Sequence, residues 1–336
     1  MKTRNIFLLL TAVALAGLTA CGGGGDAGPA APAAVQANGN TASALAYAAG
    51  SEDLAAFTLL NAEREHCGFG KLAQNAQLDA AARAHADYQV INSVISHLEV
   101  AGKPGFTGAS PTDRIAAAGY ADAGANADEI AGFIGTSQKA GLGEPALRNL
   151  LNAPYHLQGL MSGFRDVGLS VRSSADTGAG SATVLLQINA AYQRSAGPQL
   201  FAGTEVHTYP CEGTSGVNFR LANEEPNPVP LRDLSTTPLG SSVYVAVRAG
   251  NVIGISSAST SMIQISTGQP VTLRAPITAA NDPHGPCAAG CFQSHQAYVA
   301  ADAPLQPNTA YQVTINGTNN RVQFSRTFRF STGTGG

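Results

Sequence analysis

Near Glu205 the hydrophobic period of the chain changes, and one packing scheme cannot serve both sides of that point. Upstream, Leu54, Phe57 and Leu60 share one helical face, and Leu78, Ala81, His85 and Tyr88 share another. Downstream, Val243-Tyr244-Val245-Ala246-Val247, Met262-Ile263-Gln264-Ile265, Val271-Thr272-Leu273, Tyr311-Gln312-Val313-Thr314-Ile315 and Thr327-Phe328-Arg329-Phe330 read as short strands. Turn residues separate them, with Asn316-Gly317 as a hairpin signal. The chain thus divides into an α+β region over 51–195 and an all-β region over 205–334, read as a β-sandwich.

Local signals place the upstream elements. Ser51 caps a helix whose first turn carries Glu52 and Asp53, and Gly68 is its expected stop. A second helix starts near Asn75. Ser110-Pro111-Thr112-Asp113 supplies a cap, a proline at the first helical position and a capping-box acid, and Gly119 follows that helix. Pro145 opens a fourth helix with Leu147, Leu150 and Leu151 inward. Strands are expected near Glu129, over 167–171 and over 182–188, the last two flanking a Gly/Ser/Asp turn.

The first fifty residues belong to neither region. Lys2 and Arg4 precede an apolar run from Ile6 to Leu18, shorter than the roughly 20 residues a bilayer span needs. Leu18-Thr19-Ala20-Cys21 resembles a bacterial lipobox. It implies a leader over 1–20, a lipidated Cys21 and membrane attachment through the lipid, with Gly22 favouring the outer membrane. Residues 21–50 are Gly-, Ala- and Pro-rich and read as a tether. Export puts Cys67, Cys211, Cys287 and Cys291 in an oxidising compartment. Of the possible pairings, Cys287–Cys291 as a local loop and Cys67–Cys211 between distant segments are favoured. A net charge of -3 with 12% charged residues argues against a nucleic-acid partner, and 44% apolar residues argue against wholesale disorder.

Several segments in order carry a family resemblance. They are Leu59-Leu60-Asn61-Ala62-Glu63-Arg64, Ala82-Arg83-Ala84-His85-Ala86, Ser96-His97, Ser110-Pro111-Thr112-Asp113-Arg114-Ile115, Asn152-Ala153-Pro154-Tyr155-His156 and Phe164-Arg165-Asp166-Val167-Gly168-Leu169. Over about Asp53 to Tyr192 the chain resembles the bacterial CAP domain (cysteine-rich secretory, antigen 5, pathogenesis-related; SCP-like). The resemblance implies an α-β-α sandwich with a cleft lined by histidines and carboxylates. His97 and His156 match its two cleft histidines. Its strand carboxylate falls on Asp128 or Glu129. Neighbouring strand residues face opposite ways, so at most one is expected in the cleft, and Glu129 is preferred on residue type. Asp166 is a weaker candidate for a second acid. His97, His156 and Glu129 would suit a divalent metal such as Zn²⁺. His85 reads as a core histidine and Arg114 as a partner of loop carbonyls or a carboxylate. Leu305–Tyr311 and Phe328–Thr332 resemble the closing strands of bacterial Ig-like domains, which space or brace.

These readings lead to an exported envelope lipoprotein whose cleft binds a small or lipidic ligand or a divalent metal. The alternative is a metal-assisted hydrolase acting on peptide, lipid ester or cell-wall material. Binding is preferred, because the sequence supplies histidines and carboxylates but no activated Ser or Cys, and the carboxylate set of eukaryotic members is incomplete. The family often carries Trp on its fourth helix, where this chain has Leu150, so its cleft wall is expected to differ in shape.

Overall fold

The computed structural model describes residues 46–285 and 291–336. The leader, Cys21, most of the tether and the Cys287 half of the second expected disulfide lie outside them.

Helix α1 (Glu52–His66) begins where Ser51 Oγ accepts from Leu54 N at 3.1 Å. After β1 (Ala73–Gln74), α2 (Ala76–Asn92) is capped by the Asn75 side chain, and α3 (Pro111–Ala117) by the full Ser110–Asp113 capping box. Strand β2 (Ala123–Ile134) leads to α4 (Gly143–Asn152) and α5 (Pro154–Met161). The fourth helix starts two residues before Pro145, and Pro154, which has no N–H to continue it, opens a further helix. Strand β3 (Asp166–Ser173), the single turn α6 (Ser174–Thr177) and β4 (Thr183–Gln193) complete the region.

The sheet order is β1-β3-β4-β2. Strands β2, β4 and β3 are antiparallel, and β1 runs parallel to β3. One face carries Leu169, Val171, Leu186 and Ile188 into a core with Leu60 of α1, Leu147 and Leu151 of α4 and Leu157 of α5. The other face receives α2, where Leu78 and Ala81 pack with Ala191. Gly168 permits that approach: a Cβ there would overlap the Leu78–Asp79 backbone. The result is the expected α-β-α layering. Its edge strand β2 is the strand that matters for the site.

The downstream strands are β5 (Val206–Tyr209), β6 (Thr214–Val217), β7 (Ser242–Val247), β8 (Ile253–Ile255), β9 (Ser261–Gln264), β10 (Ile277–Thr278), β11 (Gln296–Ala300), β12 (Ala310–Asn319) and β13 (Val322–Thr332). They form one sheet ordered β10-β11-β7-β5 and another ordered β6-β13-β12-β8, with β9 also on β12. Two local expectations change. Residues 271–273 form no strand, and only Leu273 makes an isolated bridge, to Ala301. Asn316-Gly317 does not turn the hairpin. Strand β12 continues to Asn319, and the reversal falls on Asn320 and Arg321, both at positive φ. Gly317 is instead a close-approach site, where a Cβ would overlap Gly254 O and crowd the Phe324 ring.

Strand β7 is buried along its whole length. Val243, Val245 and Val247 enter the core between the two downstream sheets, with Val299, Val313, Ile315 and Phe328. Tyr244 and Ala246 point the other way, into the core that holds Leu60, Leu147 and Leu157. Strand β11 repeats the pattern, Val299 to one side and Tyr298 with Ala300 to the other. The imperfect alternation of 243–247 is the signature of a strand with two apolar faces. The two regions read from the sequence therefore share one core, packed on one face of the β10-β11-β7-β5 sheet, and the described residues form a single unit. Polar contacts seal the seam. Asn152 Oδ1 accepts from Ser242 N at 3.0 Å, its carbonyl accepts from Ser242 Oγ, and Asn152 Nδ2 donates to Arg220 O at 2.9 Å. Tyr47, within the stretch read as tether, packs on Phe57 and donates to Asp79 Oδ1.

Cys67 at the end of α1 is bonded to Cys211 after β5, across a sequence separation of 144. This is the favoured long-range pairing, and it fastens the same seam. Closing so long a loop stabilises by constraining the unfolded chain, typically about 2–5 kcal/mol. The Cys67→Ser/Cys211→Ser double variant should show a correspondingly lower denaturation midpoint under non-reducing conditions. An unchanged midpoint would count against the cross-link as a stabiliser.

Candidate functional site

A cleft of about 770 Å³ lies along the outer edge of β2. Because β2 is the edge strand, the cleft curls around it and meets both faces of the sheet. Asp128 and Glu129 still point to opposite faces, as strand geometry requires, yet both line the cleft. The expectation that at most one would do so is corrected by the position of the strand, not by any break in its alternation.

On the α2 side, Asp128 is buried and surrounded by donors. Arg114 donates to its Oδ1 from 3.2 Å and Gln187 Nε2 from 2.8 Å, while His97 Nδ1 lies 2.9 Å from Oδ2. Asn189, directly opposite Asp128 in the β2–β4 register, places its amide nitrogen against the same carboxylate. Arg114 also donates to His97 O at 3.0 Å, so one guanidinium holds both the backbone and the carboxylate partner of that histidine. The His97 ring remains 48% exposed at the cleft mouth. Behind it, Glu99 lies 2.8 Å from His85 Nδ1 and accepts from Thr107 N. His85 is a buried brace, with Nε2 2.8 Å from Ser96 O.

On the opposite side, the first turn of α5 presents His156. Its ring centroid is 6.3 Å from that of His97. Its Nδ1 sits 3.2 Å from both oxygens of Glu224, a residue of the downstream half. Glu129 is buried against α5 at Gly159, where a Cβ would overlap its Oε1. Burial pushes the Glu129 carboxyl up to about 8, with Asp128 and Glu224 adding to the rise and His156 opposing it. Burial works against a charged His156, but Glu224, Glu129 and Asp128 together outweigh it and push that imidazole up to about 9.

The cleft thus collects His97, His156, Asp128 and Glu129. Asp166 is not among them: it accepts from Tyr120 OH at 2.7 Å, buried at the start of β3 and outside the cleft lining. The expected metal ligands His97, His156 and Glu129 do not assemble as a three-ligand set. Among the described residues no three His, Cys, Asp or Glu side chains are grouped to hold an ion, and both histidines have Nδ1 on a carboxylate. Glu224 escaped the sequence reading because Asn223-Glu224-Glu225-Pro226 lies in a loop without periodicity or motif. Beside it, Glu225, Pro226, His284 and Gln293 close the cleft from the downstream half.

Residues 57–187 match the sequence profile of the cysteine-rich secretory protein family. This region is a CAP domain. Its α-β-α layers are those that the resemblance implied. An outer surface protein from Borrelia burgdorferi is similar in structure at 14% identity, with a TM-score of 0.35 over 43% of this chain and 93% of that one. An extracellular protein containing a SCP domain, from Bacillus anthracis str. Ames, is similar at 18% identity, with a TM-score of 0.32 over 42% of this chain and 40% of that one. No curated protein matches the chain. Among the described residues no helix is long and apolar enough to cross a membrane.

Two outcomes follow for the CAP cleft. Glu129 and His156 both have folded pKa values above their ordinary 4.5 and 6.5, so the native state holds the extra protons. Their contribution to stability is complete at low pH. It falls as pH rises, for Glu129 from about 4.5 through 8 and for His156 from about 6.5 through 9. Denaturation midpoints should drop across that window, and less steeply in Glu129→Gln. An unchanged slope in the variant would contradict a protonated, buried Glu129. Gly159→Ala should cost about 1–3 kcal/mol by displacing Glu129, read as a lower melting temperature, and wild-type stability would sink that contact.

Proposed function

We propose that this is an exported, lipid-anchored envelope protein whose CAP cleft binds a small, largely apolar ligand without chemically transforming it. The supporting observation is the cleft itself. It has about 770 Å³ of space and a mainly apolar exposed surface, with Phe164, Ala127 and Pro226 among its walls, and polar side chains that include His97 and His156. That combination suits a ligand with an apolar body and polar substituents. The hydroxyls along the cleft are engaged elsewhere: Ser162 Oγ donates to Gln158 O at 2.7 Å and Thr112 Oγ1 to Asn126 Oδ1 at 3.0 Å. Neither is bonded to a histidine that would activate it for attack. The downstream sandwich serves as the cleft's second wall, and Cys21 as the membrane attachment point.

Purified protein would be screened by native mass spectrometry against a fatty acid, a phospholipid, a lipid ester and a short peptide. His97→Ala and His156→Ala would be screened in parallel, with and without Zn²⁺. Saturable binding of an apolar member, weakened in His156→Ala and without product, is the expected result. Metal-dependent hydrolysis lost in both variants would overturn binding in favour of a hydrolase. Cys21→Ser should move the protein out of the membrane fraction, and retention there would refute the lipid anchor.

A further inference from the structure

His156 is oriented from outside the CAP domain. Glu224 belongs to the loop between β6 and β7, yet its side chain is fully buried, and it is shared between two donors of one helix. Its Oε1 accepts from Tyr155 N at 3.0 Å, and both oxygens lie 3.2 Å from His156 Nδ1. Helix α5 needs this. Its N-cap residue is Ala153, which makes no side-chain cap bond. A carboxylate in that position satisfies a free N–H of the first turn and lies at the positive end of the helix dipole. The same carboxylate fixes the imidazole. With Nδ1–H directed to Glu224, only Nε2 is left for the cleft, the relation in which an outer carboxylate sets the exposed nitrogen of a functional histidine.

The neighbouring contacts keep Glu224 in place. Tyr155 OH donates to Asp282 Oδ1 at 2.7 Å, and Asp282 Oδ2 accepts from Phe292 N at 2.8 Å. Gln158, one turn further along α5, donates to Gln296 Oε1 of β11 at 3.0 Å. Helix α5 is therefore clamped to the downstream half at three side chains, Tyr155, His156 and Gln158.

We infer that Glu224 is a positioning residue for the cleft: it caps α5 and locks His156 with Nε2 inward, so the downstream half completes the ligand-recognising surface of the CAP domain. This rests on the binding reading for its consequence in affinity, but not for the His156–Glu224 lock itself.

The test separates the two. Proton spectra of the purified chain should contain a downfield, slowly exchanging imidazole N–H resonance, as expected for a buried hydrogen bond to a carboxylate. His85–Glu99 and His97–Asp128 are other sources of such signals, so the resonance is assigned by its loss in His156→Asn. In Glu224→Ala it should disappear. In Glu224→Gln, whose amide oxygen still accepts, it should persist at a shifted position and confirm that the fold survives. Glu65→Gln, an exposed carboxylate at the end of α1 outside the cleft, should leave it unmoved. Persistence at the wild-type position in Glu224→Ala would overturn the lock. For the second arm, the fatty acid of the binding screen should bind Glu224→Ala about tenfold more weakly, as for loss of a bond to a charged group, with partial rescue in Glu224→Gln. Equal affinity in wild type and Glu224→Ala would overturn the positioning role. Failure of the wild type to bind any probe would refute the binding reading alone, with the resonance still deciding the lock.

Discussion

A strand that has no polar face cannot stand at the surface, and β7 is such a strand. Tyr244 and Ala246 require cover on one side, Val243, Val245 and Val247 on the other. Burying a large apolar side chain is worth about 1.5–3 kcal/mol, whereas exposed ion pairs such as Lys71–Glu65 contribute about 0–1 kcal/mol each. The doubly covered sheet therefore dominates the joining of the two halves. The α5 side of the cleft follows from that joint, because it brings the 223–226 loop, Asp282, His284 and residues 291–293 up to the helix.

The cleft shows a division of labour between His97 and His156. His97 stands half-exposed on a loop and is held through Asp128, itself neutralised by Arg114 and by the amides of β4. His156 stands on a helix and is held by a carboxylate from the other half of the chain. Buried charges left without partners would be costly, so each carboxylate here has its donors or, for Glu129, retains its proton. The edge position of β2 lets groups from both faces of one sheet meet across a single opening.

What was legible in the sequence was local. The Ser51, Asn75 and Ser110 caps marked helix starts, and the ordered segments from Leu59 to Leu169 carried the fold and both histidines. Contact between distant segments was less legible. Cys67–Cys211 was favoured from the compartment and the cysteine count, but the sheet it fastens was hidden, since Tyr244 and Ala246 look polar-tolerant in isolation. Glu224 had no local signature at all, because its role depends on a helix some seventy residues upstream in sequence. Asn316-Gly317 misled for a related reason. The glycine serves the packing of Phe324 and β8, not a turn. Asp128 and Glu129 were both found, but choosing between them required knowing that their strand lies at an edge.

The shared core also bears on how such a chain can change over generations. The segment around 196–204 resembles a seam at which one module could be exchanged for another. Yet a substitute downstream module would have to present aromatic side chains where Tyr244 and Tyr298 now fill the core, and a carboxylate where Glu224 reaches His156. A recombination event at that seam would leave an uncovered apolar face and an uncapped helix at once. The two halves are therefore structurally matched, and the surroundings of His156 can change by mutation in the 223–226 loop, far in sequence from the helix that carries it.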